Sequence, residues 1–258
     1  MLKMFQSVMN LSIVVLVVVT LWWDGVDAAA KKCVMSESDA EACGAQMLIL
    51  NENITIPKSE AEILEKCTNI EKGIECYKEY AKTCLDPMAS RVMSMVGRNG
   101  KKLADRICKE ESSRTELLNH FNCWKSSEDL QKLSICLDKY MVQMQGLADV
   151  SNDDRIPTVC CSYHMLKACM KSQGEKTCTK PESVAFIDNM ATGITGDLVK
   201  FVCGKFKSLE DCDTKMDTNS WQTLKELVAS DDPQVIKAMK KYQSPFAALK
   251  DMLKKIKN

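Results

Sequence analysis

A histidine beside a pair of cysteines is the arrangement in this chain best suited to chemistry. In Cys160-Cys161-Ser162-Tyr163-His164 the imidazole could serve as a general base that activates water. That role needs a neighbouring carboxylate to hold a cation against the developing oxyanion. The residue after the histidine is Met165, the next cysteine is Cys169, and no glycine-rich loop stands upstream. The base therefore lacks its electrophilic partner, and His164 is expected to be an ordinary helix-surface residue. The other histidine is His120. Two histidines far apart make no metal site, and cysteines held in disulfides supply no thiolates. No serine or cysteine is accompanied by the base and acid of a triad motif. The expectation is a protein that is not an enzyme, with no catalytic, cofactor-binding or metal-binding residues and no cofactor.

The cysteines carry more information than the histidines. There are fourteen, an even count that is rare where thiols stay reduced and common where they oxidise. No C-x-x-C pair occurs, so the usual zinc and redox signatures are missing. Disulfides are expected throughout. The cysteines also fall on a lattice. One class recurs at Cys33, Cys76, Cys123, Cys169 and Cys212, a second at Cys43, Cys84, Cys136 and Cys178, and a third at Cys67, Cys108, Cys160 and Cys203. The second and third classes are separated by 23, 23, 23 and 24 residues, and only Cys161 falls outside the pattern. This predicts four copies of one helical unit, with Cys212 opening an incomplete fifth.

The elements that must hold these cysteines are helices. Lys, Glu, Leu, Met and Ala are abundant, while glycine and proline number ten and six. In the fourth copy Ile187, Met190, Ile194, Leu198 and Phe201 recur at steps of three and four. Asp86-Pro87 pairs a cap with a first-turn proline. Ser59 to Glu62 and Ser113 to Glu116 fit the capping box. Strand signals are confined to Leu48-Ile49-Leu50 and Ile54-Thr55-Ile56, with no hairpin turn between them. The predicted fold is all-α: a disulfide-stapled helical repeat array of about four units of two to three helices. Cys76 and Cys84 stand eight residues apart, about 12 Å of helical rise. A disulfide needs Cα atoms within about 7 Å, so each should staple its helix to another. Adjacent Cys160 and Cys161 should likewise take separate partners.

Residues 1–30 read as a signal peptide. Lys3 precedes the uncharged run Leu11 to Trp23, Asp24-Gly25 breaks it, and small residues around Ala28 to Ala30 offer a cleavage site. The uncharged stretch from Met4 to Trp23 would just span a bilayer as an anchor, but its strongest apolar part is only thirteen residues. A cleaved, secreted, extracellular chain is expected. Its parts would be a cysteine-rich helical repeat region at 31–212 and cysteine-free C-terminal helices at 213–258. The formal net charge is zero, which gives no reason to expect a nucleic-acid partner. Asn53-Ile54-Thr55 is a glycosylation sequon in a segment expected to be an exposed loop. Ser230-Asp231-Asp232-Pro233 and Ser244-Pro245 mark two late helix starts. In the last helix Phe246, Leu249, Met252, Leu253 and Ile256 form an apolar face beside Lys250, Lys254, Lys255 and Lys257. Such a stripe suits docking on a core. Contact with a membrane or an acidic partner is the alternative.

The run Cys67-x8-Cys76-x7-Cys84-Leu85, Leu103-Ala104-Asp105-Arg106-Ile107-Cys108, Cys123 and Cys136-Leu137 resembles the insect 27 kDa haemolymph glycoprotein family and related cysteine-rich secreted proteins of arthropods. The likeness covers roughly residues 60 to 140. Cys160 through Cys203 looks like the second half of those related proteins. The resemblance implies a secreted helical glycoprotein and brings no catalytic residues with it. The expected function is a non-catalytic binding, carrier or defence role in extracellular fluid. Its partner would be an apolar small molecule or an extracellular protein, and sixteen methionines suit varied apolar ligands. One alternative is a venom or gland effector acting on membranes or receptors through the basic C-terminal helix. A remote one is a phospholipase A2-like hydrolase, whose Cys-Cys-x-x-His-Asp motif the chain matches only as far as His164.

Overall fold

Serine and aspartate caps set most of the helix starts. In the structure, a computed structural model, residues 33, 35–47, 56–124, 126–147 and 150–242 are described. Among them are ten helices and no strand. They are α1 (Glu37–Gln46), α2 (Glu60–Cys84), α3 (Pro87–Lys109), α4 (Glu111–Phe121), α5 (Ser127–Gly146), α6 (Asn152–Thr177), α7 (Pro181–Val202), α8 (Leu209–Lys215), α9 (Thr218–Leu227) and α10 (Pro233–Met239). The fold is all-α. Contacts divide the chain into Met1–Val34 and Met35–Asn258, and all ten helices lie in the second. Ser36, Ser59, Ser126, Ser151, Ser208, Asp217 and Asp232 each accept a backbone N–H of the first turn. Asp86 does the same for Ala89 at 3.2 Å. Each cap contributes about 1 kcal/mol. Glu62 returns the bond to the Lys58 N–H at 2.9 Å. The box expected at Ser113 is absent: α4 starts earlier, on Glu110, and Ser113 sits inside the helix with its hydroxyl on the Glu110 carboxylate.

Every cysteine is disulfide-bonded, and the bridges regroup the lattice. Cys43–Cys76 joins α1 to α2, and Cys136–Cys169 joins α5 to α6; both span 33 residues. Cys67–Cys108 joins α2 to α3, and Cys160–Cys203 joins α6 to the end of α7, spanning 41 and 43 residues. Cys123–Cys178 closes a third position in the second set. Its lattice counterparts, Cys33 and Cys84, are also disulfide-bonded. Cα–Cα distances run from 5.3 to 5.8 Å, ordinary for a bridge. The four sequence units therefore combine into two halves. α1 to α4 and α5 to α8 match helix for helix, and Cys161–Cys212 is added only in the second.

Two glycines let helices close up. A Cβ on Gly73 of α2 would stand 2.9 Å from the Cys43 carbonyl oxygen of α1, beside the Cys43–Cys76 bridge. A Cβ on Gly174 of α6 would stand 3.0 Å from Val184 of α7. The halves join where α3 packs on its own counterpart, α7. The buried core includes Trp124, Leu117 and Leu133 at this junction. α9 and α10 pack on α5 and α6. Ile236 is fully buried, Lys240 pairs with Asp138 at 2.9 Å with both side chains at most 10% exposed, and Gln145 donates to the Met239 carbonyl.

Candidate functional site: an apolar cavity where the halves meet

Ile63, Cys67, Ile70 and Ile74 lie at steps of four, three and four along α2, so they share one face. Opposite them α3 presents Val96, Gly97, Gly100 and Leu103, and α7 presents Ile187, Met190 and Ile194. Between these faces is a cavity of about 240 Å³. An engineered apolar cavity of about 150 Å³ already takes benzene. A Cβ added to Gly97 or to Gly100 would meet nothing within 4 Å. The absence of two side chains from α3 thus contributes directly to the open volume. Asn99, between the two glycines, donates to the Ile194 carbonyl at 3.4 Å and ties α3 to α7. Arg114, 11% exposed, holds the corner below: it donates to the Cys108 carbonyl at 2.9 Å and to the Glu60 carboxylate at 2.6 Å.

The second half carries polar side chains at the corresponding positions. Cys67 and Cys76 map onto Cys160 and Cys169 at a common offset of 93 residues, so Ile70 corresponds to Tyr163 and Ile74 to Lys167. The hydroxyls of Tyr163 and Thr195 share a hydrogen bond of 3.1 Å. Lys167 pairs with Asp188 at 3.1 Å and reaches Thr192 at 3.3 Å. Where the first half leaves isoleucines facing a void, the second half draws α6 to α7 with polar bonds.

No family model, curated protein or solved structure matches the chain.

The residues singled out for chemistry are distributed elsewhere. Cys160 and Cys161 bridge α6 to α7 and to α8. His164 is not on the open surface: it is half-buried, and its Nε2–H donates to the Phe206 carbonyl at 2.9 Å. The ring fastens the α7–α8 connection to α6, because a carbonyl can only accept. The Ser162 hydroxyl is fully buried with no hydrogen-bond partner among the described residues. His120 stacks on Phe186 at 4.3 Å and bonds the buried Ser183 hydroxyl through Nδ1 at 3.1 Å, pinning α4 to α7. Among the described residues no cluster of His, Cys, Asp and Glu could hold a metal ion, and no helix is long and apolar enough to cross a membrane. The expected α7 stripe is also cut short. Ile187, Met190 and Ile194 face the cavity, but Phe201 is 87% exposed, and Val199 and Val202 take the packing role at the helix end. The signal segment, Asn53, both strand-like stretches up to Thr55, and the lysine-rich last helix lie outside the described residues.

Sequence reasoning missed the cavity. The signal was present as two Gly-x-x-Gly steps in paired helices, Gly97/Gly100 and Gly193/Gly196. Glycine inside a helix costs about 1 kcal/mol relative to alanine, so its repeated use marks a packing demand or a deliberate void.

Proposed function

We propose that the protein is a secreted, non-catalytic carrier of a small apolar molecule in extracellular fluid. The observation that supports this reading is the cavity between α2, α3 and α7: aliphatic on nearly every side and opened by two glycines. Binding sites for small molecules are concave and mostly apolar. A fold held by oxidised cysteines throughout fits an oxidising extracellular compartment. It would also keep the cavity walls in place without a large continuous core. The resemblance to haemolymph glycoproteins points the same way, toward a protein of body fluid. Cleavage of the signal segment belongs to the same proposal: the secreted chain should begin at Ala29 or Lys31 by intact mass.

The test is uptake of N-phenyl-1-naphthylamine, an uncharged dye that brightens in apolar surroundings. The mature protein should bind it saturably. Gly97→Leu combined with Gly100→Leu should fill the void and abolish uptake while the melting temperature holds or rises. Undiminished uptake by that variant would remove the cavity as the binding site and the reading with it.

A further inference from the structure

Resting on the carrier reading, we propose that the cavity selects hydrocarbons, ligands with no hydrogen-bonding group, and that Ile70, Ile74, Gly97 and Gly100 set this selectivity. The duplication supplies the comparison position by position. Along α2 and α6 the common offset pairs Ile70 with Tyr163 and Ile74 with Lys167. Along α3 and α7 the bridged cysteines Cys108 and Cys203 fix an offset of 95 residues, which pairs Gly97 with Thr192, Gly100 with Thr195 and Met93 with Asp188. In the second half these five side chains bond to one another. Tyr163 meets Thr195 at 3.1 Å, and Lys167 meets Thr192 at 3.3 Å and Asp188 at 3.1 Å. In the first half none of the five positions carries a side-chain nitrogen or oxygen. The counterpart of three polar bonds between helices is two isoleucines, two glycines and a methionine.

The rest of the wall offers a ligand no more. Among the described residues that line the cavity, Lys66 alone has a side-chain nitrogen or oxygen, and it already holds a partner in the structure. Cys67 and Cys108 are bridged to each other, so neither presents a thiol. Backbone N–H groups inside α2, α3 and α7 are spent within their own helices. A hydroxyl or carbonyl carried into this space leaves its hydration behind and finds nothing in exchange. A hydrocarbon loses no hydrogen bond on the same path and gains contact with the aliphatic walls at Ile63, Leu103, Ile107 and Ile187. Met170 and Met190 also line the cavity, and flexible thioethers adapt to differences in ligand shape. Hydrocarbons are also the compounds that water dissolves least, so they gain most from a carrier in extracellular fluid.

The experiment measures displacement of N-phenyl-1-naphthylamine from the full mature chain by naphthalene and by 2-naphthol, which differ by one hydroxyl, in wild type, Gly100→Ser and Gly100→Ala. A Cβ at position 100 meets nothing within 4 Å, so both variants should fold. Wild type should bind naphthalene about tenfold more tightly than 2-naphthol, the effect of one buried hydroxyl without a partner. Gly100→Ser puts a hydroxyl on the wall, and 2-naphthol should recover about threefold or more of that difference. Gly100→Ala adds the same carbon without the oxygen and should keep the wild-type ratio. Wild type that binds 2-naphthol as tightly as naphthalene, with the dye still bound, overturns the hydrocarbon selectivity and leaves the carrier reading standing. The same ratio in Gly100→Ser as in Gly100→Ala overturns the assignment of selectivity to this wall. Failure of the wild type to take up the dye or either competitor overturns the carrier reading and this proposal together.

Discussion

Gly73 and Gly97 stand inside neighbouring long helices, α2 and α3, and the structure assigns opposite signs to the same substitution at the two. Replacing a helical glycine by alanine removes backbone freedom from the unfolded chain and stabilises by about 0.4–1 kcal/mol where the site has room. At Gly97 the new methyl meets nothing within 4 Å, so the whole gain should appear. At Gly73 the methyl would lie 2.9 Å from the Cys43 carbonyl oxygen and 3.0 Å from both Gln46 Cβ and Met47 Cγ. The carbonyl cannot swing away, because Cys43 is tied to Cys76 one turn along α2. Overpacking of this kind costs about 1–3 kcal/mol, which outweighs the backbone gain. Gly73→Ala should therefore lose about 1–2 kcal/mol net. For a chain of this size each kcal/mol moves the melting temperature by about 2–4 °C. Thermal melts with disulfides intact should show Gly73→Ala falling by several degrees and Gly97→Ala rising slightly. A Gly73→Ala protein at least as stable as wild type would refute the close approach of α1 and α2. A destabilised Gly97→Ala would refute the void beside α3.

Two further outcomes follow from buried polar groups. Burial, with a smaller contribution from Tyr80, holds the Tyr77 hydroxyl far above its ordinary value of 10.0, and burial with Tyr163 pushes Tyr140 up to about 12. Both favour the neutral phenol in the fold. Their stabilisation is complete below pH 10 and falls as pH rises from 10 toward the folded values, by about 1.4 kcal/mol per pH unit for each tyrosine. Urea titrations at pH 9, 10 and 11 should show this decline, and Tyr77→Phe with Tyr140→Phe should flatten it. Lys240→Met leaves the Asp138 carboxylate buried without its ammonium and should cost about 3–5 kcal/mol. Lys139→Ala, whose partner Asp231 is 84% exposed, should cost less than about 1 kcal/mol. Denaturant midpoints of the two variants that lie close together would contradict the burial of the Lys240 pair.

The helical class was legible because its determinants are local. Ser59 and Asp86 act as caps through atoms a few residues away, and steps of three and four along α7 are fixed by helix geometry alone. The span of a bridge is not local. The lattice spacing is nearly uniform, so nothing in it separates four stacked units from two crossed pairs. Only the folded path shows Cys43 meeting Cys76 while Cys67 meets Cys108. Ser113 misled for a related reason. A capping box is a pattern of types, and the Arg114 contacts with Cys108 and Glu60 pull α4 back to begin on Glu110. His164 looked like a surface residue because its partner, the Phe206 carbonyl, is forty-two residues away. The cavity was the least legible feature, since an empty space is defined by side chains from three distant segments.

The duplication explains how such a space arises and persists. Two copies of one four-helix unit meet through α3 and α7, so the junction begins with matched faces. If both copies kept identical contents, the spaces beside α2 and α6 would be filled alike or left open alike. Here they diverge at corresponding positions: isoleucine at 70 and 74, tyrosine and lysine at 163 and 167. The second copy uses those polar groups to bind α6 to α7, and it adds the Cys161–Cys212 bridge to α8. In the first copy α7 forms the far wall of the cavity of about 240 Å³, through Ile187, Met190 and Ile194. An empty apolar space costs stability in proportion to its size. Its retention, with glycines at 97 and 100 whose added Cβ would meet nothing within 4 Å, is what a binding function asks of a fold and what stability by itself would remove.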